Sequence, residues 1–286
     1  MQGVILDYDS LGPESLDFSD LKGLPIHWTL YKDCAPEQVK DRVLQAQIVL
    51  TNKAPLNSTV IAEASNLEFV SVLATGTNQI DLRAASEHNV IVSNALAYGT
   101  GSVVQHVWAM ILALTTNLES YHRAAVGERW QQSAFFCSMD YPVRELAGKV
   151  LGIVGAGELG RGVAKIAEAF GMHVIYAALP GRTPSSQVDN RVPFDQFLAT
   201  ADVMSLHCPL TQQTENLIDK PQLALMKQDA ILINSARGTI VNEQALKSAL
   251  LSGQIGGAAL DALSEEPPVN GNILFDQSIP NLFITP

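Results

Sequence analysis

The sequence predicts an α/β protein with two doubly wound parallel-sheet domains, and three observations predict this class. Short β-branched runs alternate with helical stretches, which is typical of parallel strands with helices on both faces. The 286 residues, 47% of them hydrophobic, are enough for two cores of ordinary size. The alternation begins near the N-terminus and starts again at residue 150. We therefore expect one domain over residues 1–98 and a second over residues 99–286.

The first half of the chain predicts four strands and three helices. The strands are Gly3–Leu6, Ile48–Thr51, Phe69–Ala74 and Val90–Val92. The helices are Pro36–Gln45, Asn57–Ala64 and Asp81–His88. Strands that are separated by helices pair in parallel, so this half predicts one small α/β unit.

The second half predicts a long helix followed by six strands. The helix runs from about residue 100 to 123, because apolar residues recur there at helical spacing, and an aromatic-rich loop follows it. The strands are Val150–Val154, His173–Ala177, Val203–His207, Ala230–Asn234, Gly257–Leu260 and Leu282–Thr285.

Charge and cysteine usage exclude several classes of partner. Eighteen Lys and Arg against 29 Asp and Glu give a net charge of −11. We therefore expect no nucleic-acid surface, which needs clustered basic residues, and no attraction to anionic lipid. No apolar run is long enough for a membrane span. The three cysteines form neither a disulfide framework nor a metal-ligand spacing. These features predict a cytoplasmic protein without a metal.

A glycine-rich loop is the sharpest local motif. Gly155, Gly157 and Gly160 follow a predicted strand and open a predicted helix, which is the context of a dinucleotide fingerprint. The first glycine permits the tight turn, the second lets the backbone approach a pyrophosphate, and the third allows close helix packing. The free N–H groups of the helix N-terminus would face the phosphates. The loop thus predicts NAD(P) as the cofactor.

The second half of that fingerprint is absent. An acid at the end of the next strand would bind the ribose 2′-hydroxyl, but the strand continues into Ala177 and Ala178, and Arg182 follows. A missing carboxylate removes repulsion against a 2′-phosphate, and an arginine can pair with one. We therefore lean towards NADP, while an ordinary solvated role for Arg182 stays open.

Three later segments run from a strand into polar residues, at the sheet edge where ligands of open α/β sheets bind. They contain His207–Thr211, Asn234–Gly238, and Ala259–Asp261 with Glu266–Pro268. With the glycine loop, these motifs resemble the D-isomer-specific 2-hydroxyacid dehydrogenases over essentially the whole chain. The stretches Leu73–Asn78, Thr51–Lys53 and Ile284–Pro286 look like the glycerate dehydrogenase (hydroxypyruvate reductase) branch of that family.

The resemblance implies hydride transfer between NAD(P)H and C2 of a small 2-oxo acid, with a flavodoxin-like substrate domain and a Rossmann dinucleotide-binding domain. Arg237 would hold the substrate carboxylate, and Glu266 would keep a catalytic histidine protonated. Thr75, Gly76 and Lys53 would bind substrate. The cofactor-binding residues would be Gly155, Gly157, Glu158, Leu159, Gly160, Arg182, Cys208, Pro209, Thr214, Ser235, Ala236, Arg237 and Asp261.

The histidine itself is not among the six in the sequence. The family motif continues into it directly after Thr285 and Pro286, where the given sequence stops. His207 lies at a strand end near the expected cofactor, but the family pattern makes it structural. The resemblance also implies that the helix at 100–123 and the aromatic loop form a homodimer arm.

Three functions remain open at this point. The first is a dehydrogenase acting on hydroxypyruvate, glyoxylate or a similar acid. The second is a dinucleotide-sensing interaction protein of the same fold, since the family includes corepressors. The third is an inactive fragment. Retention of both Arg237 and Glu266 favours the enzyme.

Overall fold

Two compact units, Met1–Tyr98 and Gly99–Pro286, make up the computed structural model. It describes residues 1–179 and 191–286, so the predicted cofactor residue Arg182 lies outside the described residues. Every pair of neighbouring strands in the two sheets is parallel within this part of the chain. The predicted fold class, two doubly wound parallel-sheet units, is therefore confirmed.

The first unit has a five-stranded sheet in the order β2-β1-β3-β4-β5, which is flavodoxin-like. Its strands are β1 (Gln2–Ile5), β2 (His27–Leu30), β3 (Ile48–Thr51), β4 (Phe69–Val72) and β5 (Ile91–Asn94). Its α-helices are α1 (Ser19–Lys22), α2 (Pro36–Val43), α3 (Ser58–Glu63) and α4 (Leu82–Glu87), and short 3-10 helices lie at Tyr8–Leu11 and Pro13–Ser15.

Local signals explain most elements of this unit. Asn57 caps α3 by accepting the Val60 N–H at 3.0 Å, and Asp81 caps α4 by accepting the Ala84 N–H at 2.9 Å. The edge strand β2 was missed in the sequence, because its side chains are mostly exposed and show no apolar run. Exposed edge strands carry little of the hydrophobic periodicity on which strand prediction depends.

The second unit has a seven-stranded sheet in the order β12-β11-β10-β9-β6-β7-β8, the Rossmann arrangement with one strand added. Its strands are β6 (Val150–Val154), β7 (His173–Ala178), β8 (Arg191–Pro193), β9 (Val203–Leu206), β10 (Ile231–Asn234), β11 (Gly257–Leu260) and β12 (Leu282–Ile284). Its α-helices are α5 (Thr100–Thr116), α6 (Leu118–Val126), α7 (Glu158–Ala169), α8 (Phe194–Thr200), α9 (Lys220–Leu225) and α10 (Glu243–Leu251), with 3-10 helices at Gly238–Ile240 and Ile273–Phe275.

The sheet of the second unit is covered on both faces. On one face α5 packs against α7, where the Trp108 indole N–H donates to the Val163 carbonyl at 3.2 Å and its ring stacks on Phe170. On the other face the fully buried Phe197 lies against Gly152 of the central strand β6. The central strands read as apolar runs because both of their faces are buried.

The single helix predicted over residues 100–123 is wrong, since two helices occupy this stretch. Asn117 adopts a left-handed conformation with φ of 50° and ends α5. Its side-chain amide donates to the Pro142 carbonyl of the following loop. Asparagine is one of the few residues that adopts this conformation at low cost, so the break needs no glycine.

Among the described residues, no helix is both long enough and apolar enough to cross a membrane.

Candidate active site

Strand register brings five chain segments to one edge of the second sheet. Neighbouring strands pair Val154 with Leu206, Leu206 with Asn234, Asn234 with Leu260, and Leu260 with Ile284. The residues that follow these five strand positions are Gly155, His207, Ser235, Asp261 and Thr285. All five segments carry predicted motifs, so the parallel register gathers the motifs at one carboxyl edge, where ligands bind in such sheets.

The glycine loop lies directly against the end of β9. Gly155 has φ of +106°, and a Cβ on it would come within 2.6 Å of the His207 carbonyl carbon. A Cβ on Gly160 would lie 2.1 Å from the Gly155 oxygen, so this glycine allows α7 to approach the loop. Gly157 differs, because nothing lies within 4 Å of the position of its Cβ. Its backbone is therefore open to a ligand.

The N-terminus of α7 has the features of an anion site. Gly157 precedes the helix and offers no side-chain cap, so the first-turn N–H groups remain for a ligand. The Glu158 carboxylate in that turn accepts a hydrogen bond from the Thr100 hydroxyl at 2.7 Å. Leu159 is half-buried at the start of the same turn. The helix dipole adds to the attraction for phosphate.

His207 directly follows β9 and is half-buried, with a ring Nδ1 that is shielded from solvent. Burial lowers the pKa of His207 to about 4. Its Nε2 lies 2.8 Å from the Ser205 hydroxyl, while its buried Nδ1 has no hydrogen-bond partner among the described residues. A buried ring nitrogen without a partner is costly. It is therefore an atom that a bound ligand or an ordered water would satisfy.

The loop after β9 is shaped by Thr214. Its hydroxyl donates to the Pro209 carbonyl and accepts the Thr211 N–H, both at 2.7 Å. The Thr214 hydroxyl therefore stabilises this loop through hydrogen bonds within it. Cys208 is buried and Pro209 is exposed beside the glycine loop.

Asn234 organises the loop that carries Arg237. This asparagine is fully buried, accepts the Ala236 N–H at 3.1 Å and donates to the Arg237 carbonyl at 2.9 Å. The adjacent Ser235 hydroxyl is buried and has no partner among the described residues. Sequence reasoning assigned no role to Asn234, although a buried amide at the end of an apolar strand was the signal for one.

The Arg237 guanidinium is exposed and largely uncommitted. Its one side-chain hydrogen bond within the described residues goes to the Ala236 carbonyl at 2.7 Å. Among the described residues, no salt bridge involves Arg237. Because a guanidinium has five N–H donors, it can still form a two-pronged contact with a carboxylate.

Glu266 lies in the loop between β11 and the 3-10 helix Ile273–Phe275. Its carboxylate accepts the Leu263 N–H at 3.0 Å. Glu243, at the start of α10, fixes the same loop by accepting the Ser264 N–H at 2.8 Å and the Asn272 amide at 2.9 Å. Glu266 is exposed, and the loop that carries it is held by the Glu243 carboxylate. Sequence reasoning did not identify the supporting role of Glu243.

Asp261 belongs to a hydrogen-bonded cluster that the sequence did not predict. Its Oδ1 accepts the Thr285 hydroxyl at 2.7 Å and lies 3.1 Å from His106 Nε2. His106 Nε2 is also 2.9 Å from the Thr285 hydroxyl oxygen. A histidine 155 residues earlier in the chain than Asp261 gives no sequence signal for such a contact.

In the first unit, the three predicted substrate residues follow two neighbouring strands at one edge. Lys53 follows β3 and Thr75 with Gly76 follows β4, and the two strands pair at Thr51 and Val72. Asp7, which is buried, accepts the backbone N–H groups of Asn52, Lys53 and Ala54. Asp7 thus fixes the turn on which the exposed Lys53 stands.

The Thr75 loop is held separately from that turn. The Asn94 side chain donates to the Thr75 carbonyl at 2.8 Å. The Thr75 and Gly76 amides are not used by this contact, so they remain available as donors.

The described residues fit a nicotinamide dinucleotide. The open backbone at Gly157 and the uncapped α7 terminus suit a pyrophosphate, and the unpartnered Ser235 hydroxyl and His207 Nδ1 are polar atoms beside it. No group of His, Cys, Asp or Glu among the described residues could hold a metal ion.

The end of β7 carries no carboxylate, as the sequence indicated. Ala177 is buried and Ala178 is half-buried there. The structure adds Arg191 of β8, whose guanidinium donates to the Ala177 carbonyl at 2.9 Å. Its Nε is buried and has no partner among the described residues. Arg191 is a cation near this strand end that sequence reasoning missed.

This chain is similar to proteins of one known family. The family described as D-isomer specific 2-hydroxyacid dehydrogenase, NAD binding domain, matches residues 108–286. The glycerate dehydrogenase of Methylorubrum extorquens is 38% identical over 99% of this chain and 87% of its own length. The hydroxypyruvate reductase of Blautia hydrogenotrophica is 37% identical over 100% of this chain and 89% of its own length.

Among solved structures, an acyclic imino acid reductase in complex with NADPH and D-Arg has a TM-score of 0.86 at 26% identity, and the match covers 100% of this chain and 89% of that one. The predicted resemblance is confirmed by the family match and the relatives, and the cofactor class is that of a nicotinamide dinucleotide. The sequence motifs, the gathered sheet edge and these similarities together show that the chain belongs to the D-isomer-specific 2-hydroxyacid dehydrogenase family.

Proposed function

We propose that this enzyme reduces the C2 carbonyl of hydroxypyruvate to D-glycerate, or that of glyoxylate to glycolate, and catalyses the reverse oxidation. The observation that carries the proposal is the exposed, uncommitted guanidinium of Arg237 on the same sheet edge as the glycine loop. The two relatives named above support the choice of substrate class. A bound nicotinamide dinucleotide would supply or accept the hydride.

Arg237 is proposed to bind the substrate carboxylate through two parallel N–H bonds and to polarise the C2 carbonyl. A guanidinium suits this because its planar fork matches a carboxylate. The Asn234 side-chain amide donates to the Arg237 carbonyl at 2.9 Å. This bond fixes the backbone from which the exposed guanidinium extends.

In the first unit, Thr75, Gly76 and Lys53 are proposed to bind the substrate. The N–H groups of the Thr75 loop can donate to a carboxylate, and the Lys53 ammonium can attract it. Both loops are fixed by buried or half-buried partners, Asp7 for the turn at Lys53 and Asn94 for the Thr75 loop. Fixed donors cost little to order on binding.

Glu266 is proposed to hold the proton donor in its protonated form. A carboxylate beside an imidazole favours the imidazolium, which can then deliver a proton to the C2 oxygen. Glu243 holds the loop on both sides of the exposed Glu266 through its bonds to Ser264 and Asn272. The proposed cofactor contacts are those of the glycine loop, Cys208, Pro209, Thr214, Ser235, Ala236, Arg237 and Asp261.

We propose further that NADPH is accepted at least as well as NADH. The end of β7 has no acid to repel a 2′-phosphate, and Arg191 places a cation at Ala177. Arg182 remains a proposed contact outside the described residues. The structural neighbour solved with NADPH is consistent with this choice.

We also propose that the protein is a homodimer. The segment after α6 exposes large apolar side chains, with Phe136 91% and Met139 79% exposed. Patches of this kind mark interaction surfaces. Sedimentation velocity of the wild type and of Phe136→Asp tests this, and a monomeric wild type would contradict it.

The direct test is a reduction assay. Purified full-length protein is mixed with NADPH or NADH and with hydroxypyruvate, glyoxylate or pyruvate, and the loss of reduced cofactor is followed. We expect turnover with the first two acids and a D-configured product from hydroxypyruvate. Binding of dinucleotide without turnover of any 2-oxo acid would instead support the sensing protein.

A further inference from the structure

The cluster of His106, Asp261 and Thr285 joins three separate elements of the second unit. His106 lies on α5, Asp261 follows β11 and Thr285 follows β12. The His106 Nε2 is 2.9 Å from the Thr285 hydroxyl oxygen and 3.1 Å from Asp261 Oδ1. The Thr285 hydroxyl donates to the same Oδ1 at 2.7 Å.

The protons of this cluster can be assigned from its donors and acceptors. Thr285 has one hydroxyl proton, and the bond to Asp261 uses it. His106 Nε2 therefore faces two acceptors, the Thr285 oxygen and Asp261 Oδ1, so Nε2 must carry a proton. Both donors act on Oδ1, and Asp261 Oδ2 accepts no hydrogen bond from the described residues.

This arrangement fixes the rotation of a carboxylate and leaves one of its oxygens for a ligand. The Asp261 side chain is 29% exposed, so a ligand at the sheet edge can reach it. The His106 side chain is 37% exposed and adds little to the core. Its Nε2 makes polar contacts with both edge residues, which argues against a purely packing role.

We propose that His106 is a positioning residue that orients Asp261, so that Oδ2 accepts the carboxamide N–H of the bound nicotinamide. The inference rests on the proposed function of Asp261 as a cofactor-binding residue. His106 acts through Asp261 and touches neither substrate nor cofactor. Holding the carboxamide limits rotation of the nicotinamide ring, and with it the face from which hydride transfer takes place.

The experiment compares four ligands that share the adenosine and pyrophosphate groups. NADPH and NADH carry the carboxamide, the reduced 3-acetylpyridine analogue of NADH lacks the amide donor, and ADP-ribose lacks the ring. Dissociation constants are measured by titration calorimetry for the wild type, His106→Leu and His106→Gln. His173→Leu is the matched control, because His173 is exposed at the opposite edge of the same sheet.

We expect His106→Leu to weaken binding of the reduced nicotinamide cofactor about tenfold, with ADP-ribose and the acetylpyridine analogue changed less than twofold. One hydrogen bond to a charged group is of this order or larger. His106→Gln keeps an N–H donor and should restore most of the lost affinity. His173→Leu should leave all four dissociation constants unchanged.

Two results would overturn the inference. One is an equal loss of affinity for ADP-ribose and NADH in His106→Leu, which means a general structural defect. The other is unchanged NADH binding in that variant. If wild-type protein binds neither NADH nor NADPH, the proposed function fails, and this outcome is distinct from either of the first two. If His106→Leu does not fold, Thr285→Val removes one donor from Oδ1 and should show the same ligand pattern.

Discussion

Gly238 lies against Leu263 so closely that a Cβ on Gly238 would come within 1.9 Å of the Leu263 carbonyl carbon. The contact places the chain just after Arg237 under the loop that carries Glu266. Two proposed catalytic residues that are 29 positions apart in the sequence therefore stand on loops in direct backbone contact. Any side chain at position 238 would separate them.

Substitution of Gly157 should separate cofactor binding from folding. Gly157→Ala adds a methyl group in open space, so we expect a melting temperature close to that of the wild type. The same methyl faces the proposed pyrophosphate site, and NADH binding should weaken by at least tenfold. Gly160→Ala is the comparison, since its Cβ would meet the Gly155 oxygen at 2.1 Å, and it should destabilise the fold. Unchanged NADH affinity in Gly157→Ala would remove the loop from the cofactor site.

Arg237→Lys should keep the positive charge but lose the planar fork. We expect kcat/KM for hydroxypyruvate to fall about a hundredfold, because a lysine cannot make two parallel bonds to the carboxylate. The dissociation constant for NADH should change little. Arg83→Lys is the control, since Arg83 is exposed and paired with Glu87 on a helix of the first unit. Near-normal kinetics in Arg237→Lys would contradict the proposed role.

Glu266→Gln should move the pH dependence of the reduction. Gln retains an oxygen to accept the Leu263 N–H, so the loop should persist. A carboxylate favours the protonated imidazole of the proposed proton-donor histidine. Loss of its negative charge should therefore lower the pKa of that histidine. The rate should therefore decline at a lower pH than in the wild type. Glu265→Gln, at the exposed neighbouring position, should leave the profile unchanged, and identical profiles for all three proteins would exclude Glu266 as the partner.

Ala178→Asp should shift the cofactor preference towards NADH. A carboxylate at this strand end repels a 2′-phosphate and accepts the ribose hydroxyls. We expect the ratio of the NADPH to the NADH dissociation constant to rise about tenfold or more at one fixed salt concentration. Ala178→Asn has a similar shape without the charge and should shift the ratio much less. Strong preference of the wild type for NADH would mean that the ribose hydroxyls alone decide the choice.

His207 should contribute a pH dependence to stability. Burial lowers its folded pKa to about 4, below its ordinary value of 6.5, so the unfolded chain binds the proton more tightly. The free energy of unfolding is therefore unaffected by this group above pH 6.5. It falls as the pH drops from 6.5 towards 4, by roughly 3 kcal/mol at most. Urea unfolding at pH 7 and pH 4.5 should show a smaller pH effect in His207→Gln than in the wild type. The exposed-site control His173→Gln should behave as the wild type, and an equal pH effect in His207→Gln would show that the ring titrates normally.

Local patterns explain why much of the site was predictable. The glycines at 155, 157 and 160 and the motif containing Arg237 lie at the ends of apolar strands, which the sequence shows directly. The capped helices α3 and α4 were predicted to within one residue at each end, because Asn57 and Asp81 mark their starts. Signals of this kind depend on neighbours in the chain.

Contacts that depend on distant parts of the chain were not predictable. Asp7 fixes the turn at Lys53 across 46 positions, and Lys247 pairs with Asp276 from another element. No local sequence pattern around Asp7 or Asp276 indicates which residue it contacts. The break at Asn117 was missed for a related reason, since its amide is satisfied by Pro142.

The sequence by itself determined the fold class, the cofactor class and the positions of the glycine loop, Arg237 and Glu266, because hydrophobic periodicity and short motifs are local properties of a chain. The tertiary structure alone decided that Gly238 lies under Leu263 and that His106 meets Asp261. The physical reason is tertiary packing: the parallel register sets residues from five strand ends side by side, and α5, which carries His106, packs against β10 and β11 of the same sheet. Contacts between such segments connect residues that are far apart in the chain and share no local sequence pattern.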